Sequence, residues 1–181
     1  MVANWCLIRP QVLRHKMQID ILPATPDQQP ILANLLELYS HDFSEFVDVK
    51  LGADGRFGYQ QLPLYWREAH RHPFLIQADG ELAGLVLLQQ GSQITGAPEI
   101  WDVAEFFVLR SYRRHGVGRQ AAHAVWRRFT GDWEVRVTAR NTGALHFWQR
   151  AISAFTGQLA QAELKQSASK SQYLFSFRSQ G

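Results

Sequence analysis

The stretch that decides the fold is FFVLRSYRRHGVGRQAAHAVWRRF, Phe106 to Phe129. An apolar run breaks into arginines and two spaced glycines, and an apolar stripe then resumes at helical spacing as Val117, Ala121, Ala122, Val125 and Phe129. This reads as strand, glycine turn, helix. A helix opens with backbone N–H groups that lack intrahelical partners, and its dipole places partial positive charge there. Gly116 and Gly118 carry no Cβ, so an anion can approach the backbone closely. With Arg113, Arg114 and Arg119 added, the segment has the makings of an anion cradle. The competing account is a solvated turn whose arginines serve solubility alone.

Working outward, IWDVAEFFVL reads as a long apolar strand that holds Asp102 and Glu105, and acids inside such a strand call for a reason. PFLIQA and LAGLVLLQ flank Asp79-Gly80, a strong hairpin signal. Met17 to Leu22 is a first strand. Asp27 is expected to cap a helix with Pro30 in its first turn and a stripe of Ile31, Leu32, Leu35, Leu36 and Tyr39. His41 to Tyr65 is aromatic, acidic and glycine-punctuated, which predicts short helices and loops where specificity often resides. Downstream, WEVRVTA is a strand, Thr142 to Ile152 a helix capped by Asn141, and GQLAQAEL and QYLFSF two further strands. The fold class is α/β (α+β), with a single domain over residues 17–181. Residues 1–16 are expected to be an extension with little share in the core.

Composition sets bounds on function. The 181 residues are 46% apolar and 19% charged, as in an ordinary globular chain, and no apolar run approaches the ~20 residues of a membrane span. Cys6 is the one cysteine, so no internal disulfide and no cysteine metal cluster can form. The expectation is a cytoplasmic protein with neither a metal nor a membrane partner. Arg110, Arg113, Arg114, Arg119, Arg127 and Arg128 fall within nineteen positions, a density suited to nucleic acid or to one polyphosphate ligand. No helix-turn-helix, zinc or RNA-binding pattern accompanies it, so nucleic acid is not expected. A P-loop and a three-glycine dinucleotide fingerprint are both missing, which leaves Arg113-x-x-Gly116-x-Gly118.

VLRSYRRHGVG, Val108 to Gly118, resembles the signature of the GNAT superfamily of acyl-CoA-dependent N-acyltransferases, a strand followed by Gln/Arg-x-x-Gly-x-Gly/Ala and a helix. Asn141-Thr-Gly-Ala144-Leu-His-Phe147-Trp148 is similar to that family's Asn-x-x-Ala-x-x-Phe-Tyr segment, in the right order downstream. The resemblance implies a mixed, mostly antiparallel sheet, flanked by helices and splayed between its fourth and fifth strands, with acetyl-CoA in the gap. Its pyrophosphate would take the amides of Arg114, His115, Gly116, Val117, Gly118 and Arg119, next to Arg113. Its pantetheine arm would pair against Phe107, Val108 and Leu109, and Asn141, Ala144 and Phe147 would form the other wall. The implied activity is transfer of an acetyl group to a primary amine of a small molecule or peptide, by direct attack in a ternary complex, with the carbonyl polarised by a strand N–H near Val108.

Such a reaction needs a neutral amine, and therefore a proton acceptor. Glu105 is the first candidate and Asp102 the alternative, expected on the opposite face because their spacing is odd. A salt bridge or a solvated strand end is the bland account of each. Trp148 stands where many relatives carry tyrosine, and indole donates no proton to a thiolate at neutral pH. A CoA-binding protein without turnover is therefore the rival reading. His115 and His146 read as surface residues, and Cys6 as no nucleophile. The acceptor region is expected over His41 to Tyr65. There Asp42, Glu45 and Asp48 would attract the amine, and Tyr39, Phe43, Phe46, Tyr59 and Tyr65 would shape the wall. A monomer or a homodimer fits.

Overall fold

A computed structural model describes residues 17–167 and 170–181; the expected extension over residues 1–16, with Cys6, lies outside the described residues. The strands are β1 (Ile19–Pro23), β2 (Arg71–Ala78), β3 (Glu81–Gln90), β4 (Trp101–Val108), β5 (Gly131–Thr138), β6 (Ala162–Gln166) and β7 (Ser171–Ser179). They form one sheet in the order β1-β2-β3-β4-β5-β7-β6, antiparallel everywhere except between β4 and β5. Helix α1 (Gln29–Phe43) covers one face with Leu32, Leu35 and Leu36 buried against Leu85, Leu87 and Phe107. Helices α2 (Val117–Arg128) and α3 (Thr142–Thr156) cover the other, where Val117, Ala121, Val125, Trp126 and Trp148 meet Val86, Leu88, Val103 and Val135. No helix among the described residues is long and apolar enough to cross a membrane.

Local chemistry sets most boundaries. Asp79 and Gly80 both take positive φ, 51° and 83°, the pair of left-handed residues that a tight β2–β3 hairpin needs. Asn141 caps α3 through its Oδ1, which accepts the Ala144 amide at 2.9 Å. The expected Asp27 cap is corrected: Asp27 lies inside a short 3-10 turn (Pro26–Gln28), where Gln28 Oε1 accepts the Thr25 amide at 3.0 Å, and α1 follows that turn directly. Phe129 does not extend the α2 stripe. Its backbone is already extended, and its ring packs on Trp101 at 4.6 Å.

Two features of β4 shape everything near it. Leu87 pairs with Glu105 but Leu88 pairs with Val103, so Ala104 is an extra, unpaired residue, a β-bulge. The bulge resets the alternation of side chains, and Asp102 and Glu105 therefore share the α1 face. This corrects the opposite-face expectation, which assumed an unbroken strand. The second feature is the β4–β5 joint, held at only Trp101↔Trp133 and Asp102↔Glu134 before the strands part. Asp102 is fully buried there, and Arg136 of β5 reaches back to it with Nε at 2.9 Å and Nη2 at 2.7 Å. Gln89 of β3 donates to the same carboxylate at 3.0 Å, and Ser92 donates to Glu134 at 2.7 Å. A polar clamp thus spans three strands at the apex of the splay.

Removing one partner of a buried pair strands the other charge, so Asp102→Ala is expected to cost about 3–5 kcal/mol in urea unfolding. On the opposite edge of β4, a Cβ added to Gly84 would lie 2.0 Å from the Phe107 carbonyl oxygen. Gly84→Ala must displace backbone, and a loss of at least about 1–3 kcal/mol, with a lowered Tm, is the expected outcome.

Candidate active site

Because β4 and β5 diverge beyond Asp102, a cleft of ≈380 Å³ opens between them. Its floor is Val103–Phe106 and Val135–Thr138. Tyr39, Ser40 and Phe43 of α1 and the loop at Phe57–Tyr59 form one side, and Asn141, Ala144 and Trp148 of α3 the other. A larger hollow of ≈740 Å³ lies between α2, α3 and β7, lined by His123, Arg127 and Phe155 among others. Its described lining carries no acidic side chain and none of the signature residues, so the β4–β5 cleft is the candidate site.

Glu105 projects into this cleft from just past the bulge. Tyr59 Oη donates to its Oε1 at 3.1 Å. Tyr59 is brought there by Glu37 of α1, whose carboxylate accepts the amides of Phe57 and Gly58 at 2.8 and 2.9 Å. Burial pushes the Glu105 carboxyl above its ordinary range. The phenols of Tyr39 and Tyr59 and the charge of Arg136 offset this in part, and nearby Asp102 adds to it. Tyr39 and Tyr59 are driven well above a normal phenol by burial and by the Glu105 charge, so both stay protonated donors. Tyr65, pushed up to about 12 by burial and Glu105, is packed in the core at 2% exposure and does not line the cleft.

The expected acceptor acids are placed differently. Asp42 is bound by Arg110 Nη2 and Arg113 Nη2, each at 2.6 Å. Burial alone would raise its pKa, but these hydrogen bonds and charges outweigh it and hold the carboxyl low. It is committed to arginine, not open to an amine. Glu45 and Asp48 are exposed and outside the lining, as is the half-buried Phe46, which packs on Phe43. Tyr39, Phe43 and Tyr59 do line it.

The signature loop has the geometry of an anion seat. Arg114 and Gly116 are left-handed, with φ of 65° and 83°, and Gly116 precedes α2 without a side-chain cap. No hydrogen bond among the described residues takes the amides of Arg114 through Arg119, whereas the Gln120 amide returns to the Gly116 carbonyl at 3.0 Å. Arg114, His115 and Arg119 are exposed around this turn. Gly118 has a packing reason as well: a Cβ there would meet the Phe147 ring at 3.2 Å. Phe147 consequently packs on α2 and on Phe106 at 5.9 Å instead of lining the cleft, while Asn141 and Ala144 do line it.

Of Phe107, Val108 and Leu109, the three residues expected to present backbone, only Val108 turns it to the gap. The Leu109 amide bonds the Ala83 carbonyl at 2.8 Å, so by alternation Leu109 and Phe107 turn their peptide groups to β3 and Val108 turns its own toward the gap. Its carbonyl accepts Arg113 Nε at 2.7 Å, which leaves the N–H. Trp148 is 6% exposed, with its ring edge-on to Phe106 and Phe147, both at 4.9 Å. His115 and His146 are exposed.

Arg136, Gln89 and the Glu37 latch escaped the sequence reading. Glu134 and Arg136 alternating with Trp133, Val135 and Val137 are the one signal that could have found the clamp, since they are charges on a strand apolar on its other face.

No curated protein matches the chain. Solved structures share the fold. They include an acetyltransferase from Thermus thermophilus (16% identity, TM-score 0.67, covering 91% of this chain and 99% of that one) and a spermidine N-acetyltransferase from Vibrio cholerae in complex with CoA and spermine (12%, 0.62, 90% and 96%). Arabidopsis thaliana NAA60 in complex with a bisubstrate analogue is similar too (16%, 0.60, 89% and 98%). The family model for the acetyltransferase (GNAT) family matches residues 32–152, from α1 through the splayed joint into α3, and the chain belongs to that family.

Proposed function

We propose that the chain transfers an acetyl group from acetyl-CoA to a primary amine of a small molecule or peptide, by direct attack in a ternary complex. One observation carries the reading: Glu105, its pKa raised by burial, stands in the β4–β5 gap, three residues before Val108, whose N–H turns away from β3. Acetyl-CoA supplies the activated acyl group. The unpartnered amides of Arg114 to Arg119 and the left-handed Gly116 fit a pyrophosphate, with Arg114 and Arg119 adding charge. The Val108 amide is the donor available to polarise the acyl carbonyl.

Glu105 takes the proton that the amine must lose. Asp102, sealed and doubly bound by Arg136, holds the floor in place and is not the base. Tyr59 positions Glu105 by donating to it. Trp148 transfers no proton to sulfur at neutral pH, so the proton for the departing thiol comes from the amine, through Glu105 or water. The buried Trp148 also favours the rival reading, a CoA-binding protein without turnover. Thiol release across an amine panel, run alongside CoA binding by calorimetry, separates the two: binding with no release supports the rival.

A base must be deprotonated to act, and burial raises the pKa of Glu105. The acid limb of kcat/KM is therefore expected above the ordinary glutamate range, with activity rising as pH rises through it. Glu105→Gln is expected to lower kcat/KM by about 10²-fold or more and to abolish that limb, while CoA affinity is unchanged. A retained limb removes Glu105 from the mechanism.

A further inference from the structure

Resting on the acetyltransferase reading, we infer that the acceptor is a monoamine with an aromatic or large apolar body, and not a polyamine. The acceptor side of the cleft is built from Tyr39, Phe43, Val49, Phe57 and Tyr59, with the Tyr39 and Phe43 rings stacked at 5.4 Å. Among the described lining residues Glu105 is the single carboxylate, and the cations are Arg136 on the floor and Lys170 at the rim. The other acids of this region are otherwise placed. Asp42 holds Arg110 and Arg113, Asp102 is sealed under Arg136, and Glu45 and Asp48 are exposed outside the lining.

An ammonium entering a half-buried cleft needs a counter-charge. The first finds Glu105. A second finds ring faces, whose attraction is weaker than lost hydration, together with the repulsion of Lys170, since Asp102 already matches the charge of Arg136. Placing like charge against the wrong ligand is a form of discrimination as effective as contact with the right one. An apolar or aromatic body meets none of this and buries its surface against the wall.

The experiment is steady-state thiol release from acetyl-CoA by the full chain, with phenethylamine, cyclohexylmethylamine and ethylamine against putrescine and spermidine, and CoA binding measured in parallel. Phenethylamine is expected to exceed spermidine in kcat/KM by at least about tenfold. Phe57→Ala is expected to raise KM for phenethylamine but not for ethylamine, with CoA affinity retained. Lys170→Glu, at an exposed rim position, is expected to shift the ratio toward spermidine. Spermidine ahead of phenethylamine overturns the inference and leaves the acetyltransferase standing, as does a ratio unmoved in both variants. CoA binding with no amine turned over overturns the acetyltransferase reading and this inference with it.

Discussion

The ion pair between Asp102 and Arg136 is the constraint on which the site depends. Two parallel strands joined at only two residue pairs could zip further or come apart, and either outcome would erase the cleft. Arg136 fastens the joint. Its bidentate grip on a fully buried carboxylate keeps the apex closed. Gln89 extends the grip to β3, and Ser92 with Glu134 adds a second tie two residues back along β5. The gap is thus preformed in the folded chain, so a ligand need not separate the strands to enter.

Glu105 owes its position to a neighbouring irregularity. The bulge at Ala104 places it on the α1 face, where the carboxyl meets Tyr59 and Tyr39 instead of the packed side of α2 and α3. Without the extra residue the carboxylate would point into the apolar layer formed with Trp126 and Trp148. Burial, a phenol donor and a nearby guanidinium then set its protonation in opposition, burial being the largest influence.

Much of the architecture was legible in the sequence because it is written in local rules. Asp79-Gly80 specifies a hairpin, Asn141 a helix start, and the spacing of Gly116 and Gly118 a strand-to-helix turn, each within a few residues. What escaped was non-local. The parity of Asp102 and Glu105 depended on a bulge that leaves no composition signal in WDVAEFF. The commitment of Asp42 to arginines 68 and 71 positions away could not be read from an acidic loop. Gly118 was read as room for a ligand, and the fold shows that it is equally room for Phe147. That Val108, and not Phe107 or Leu109, turns its peptide to the gap follows from strand pairing, which periodicity does not reveal.

The Asp42 node bears on how the loop responds to ionic strength. Arg110 and Arg113 already share a carboxylate, so the arginine-rich run is less electropositive than its letters suggest. Any polyanion seated at the start of α2 meets mainly Arg114, Arg119 and the fixed dipoles of backbone amides. Mobile ions screen exposed side-chain charges over about 8–10 Å, but they weaken short, directed N–H contacts far less. Any affinity of this turn for phosphate would accordingly be built from geometry more than from charge density, and added salt would erode it less than six clustered arginines would lead one to expect.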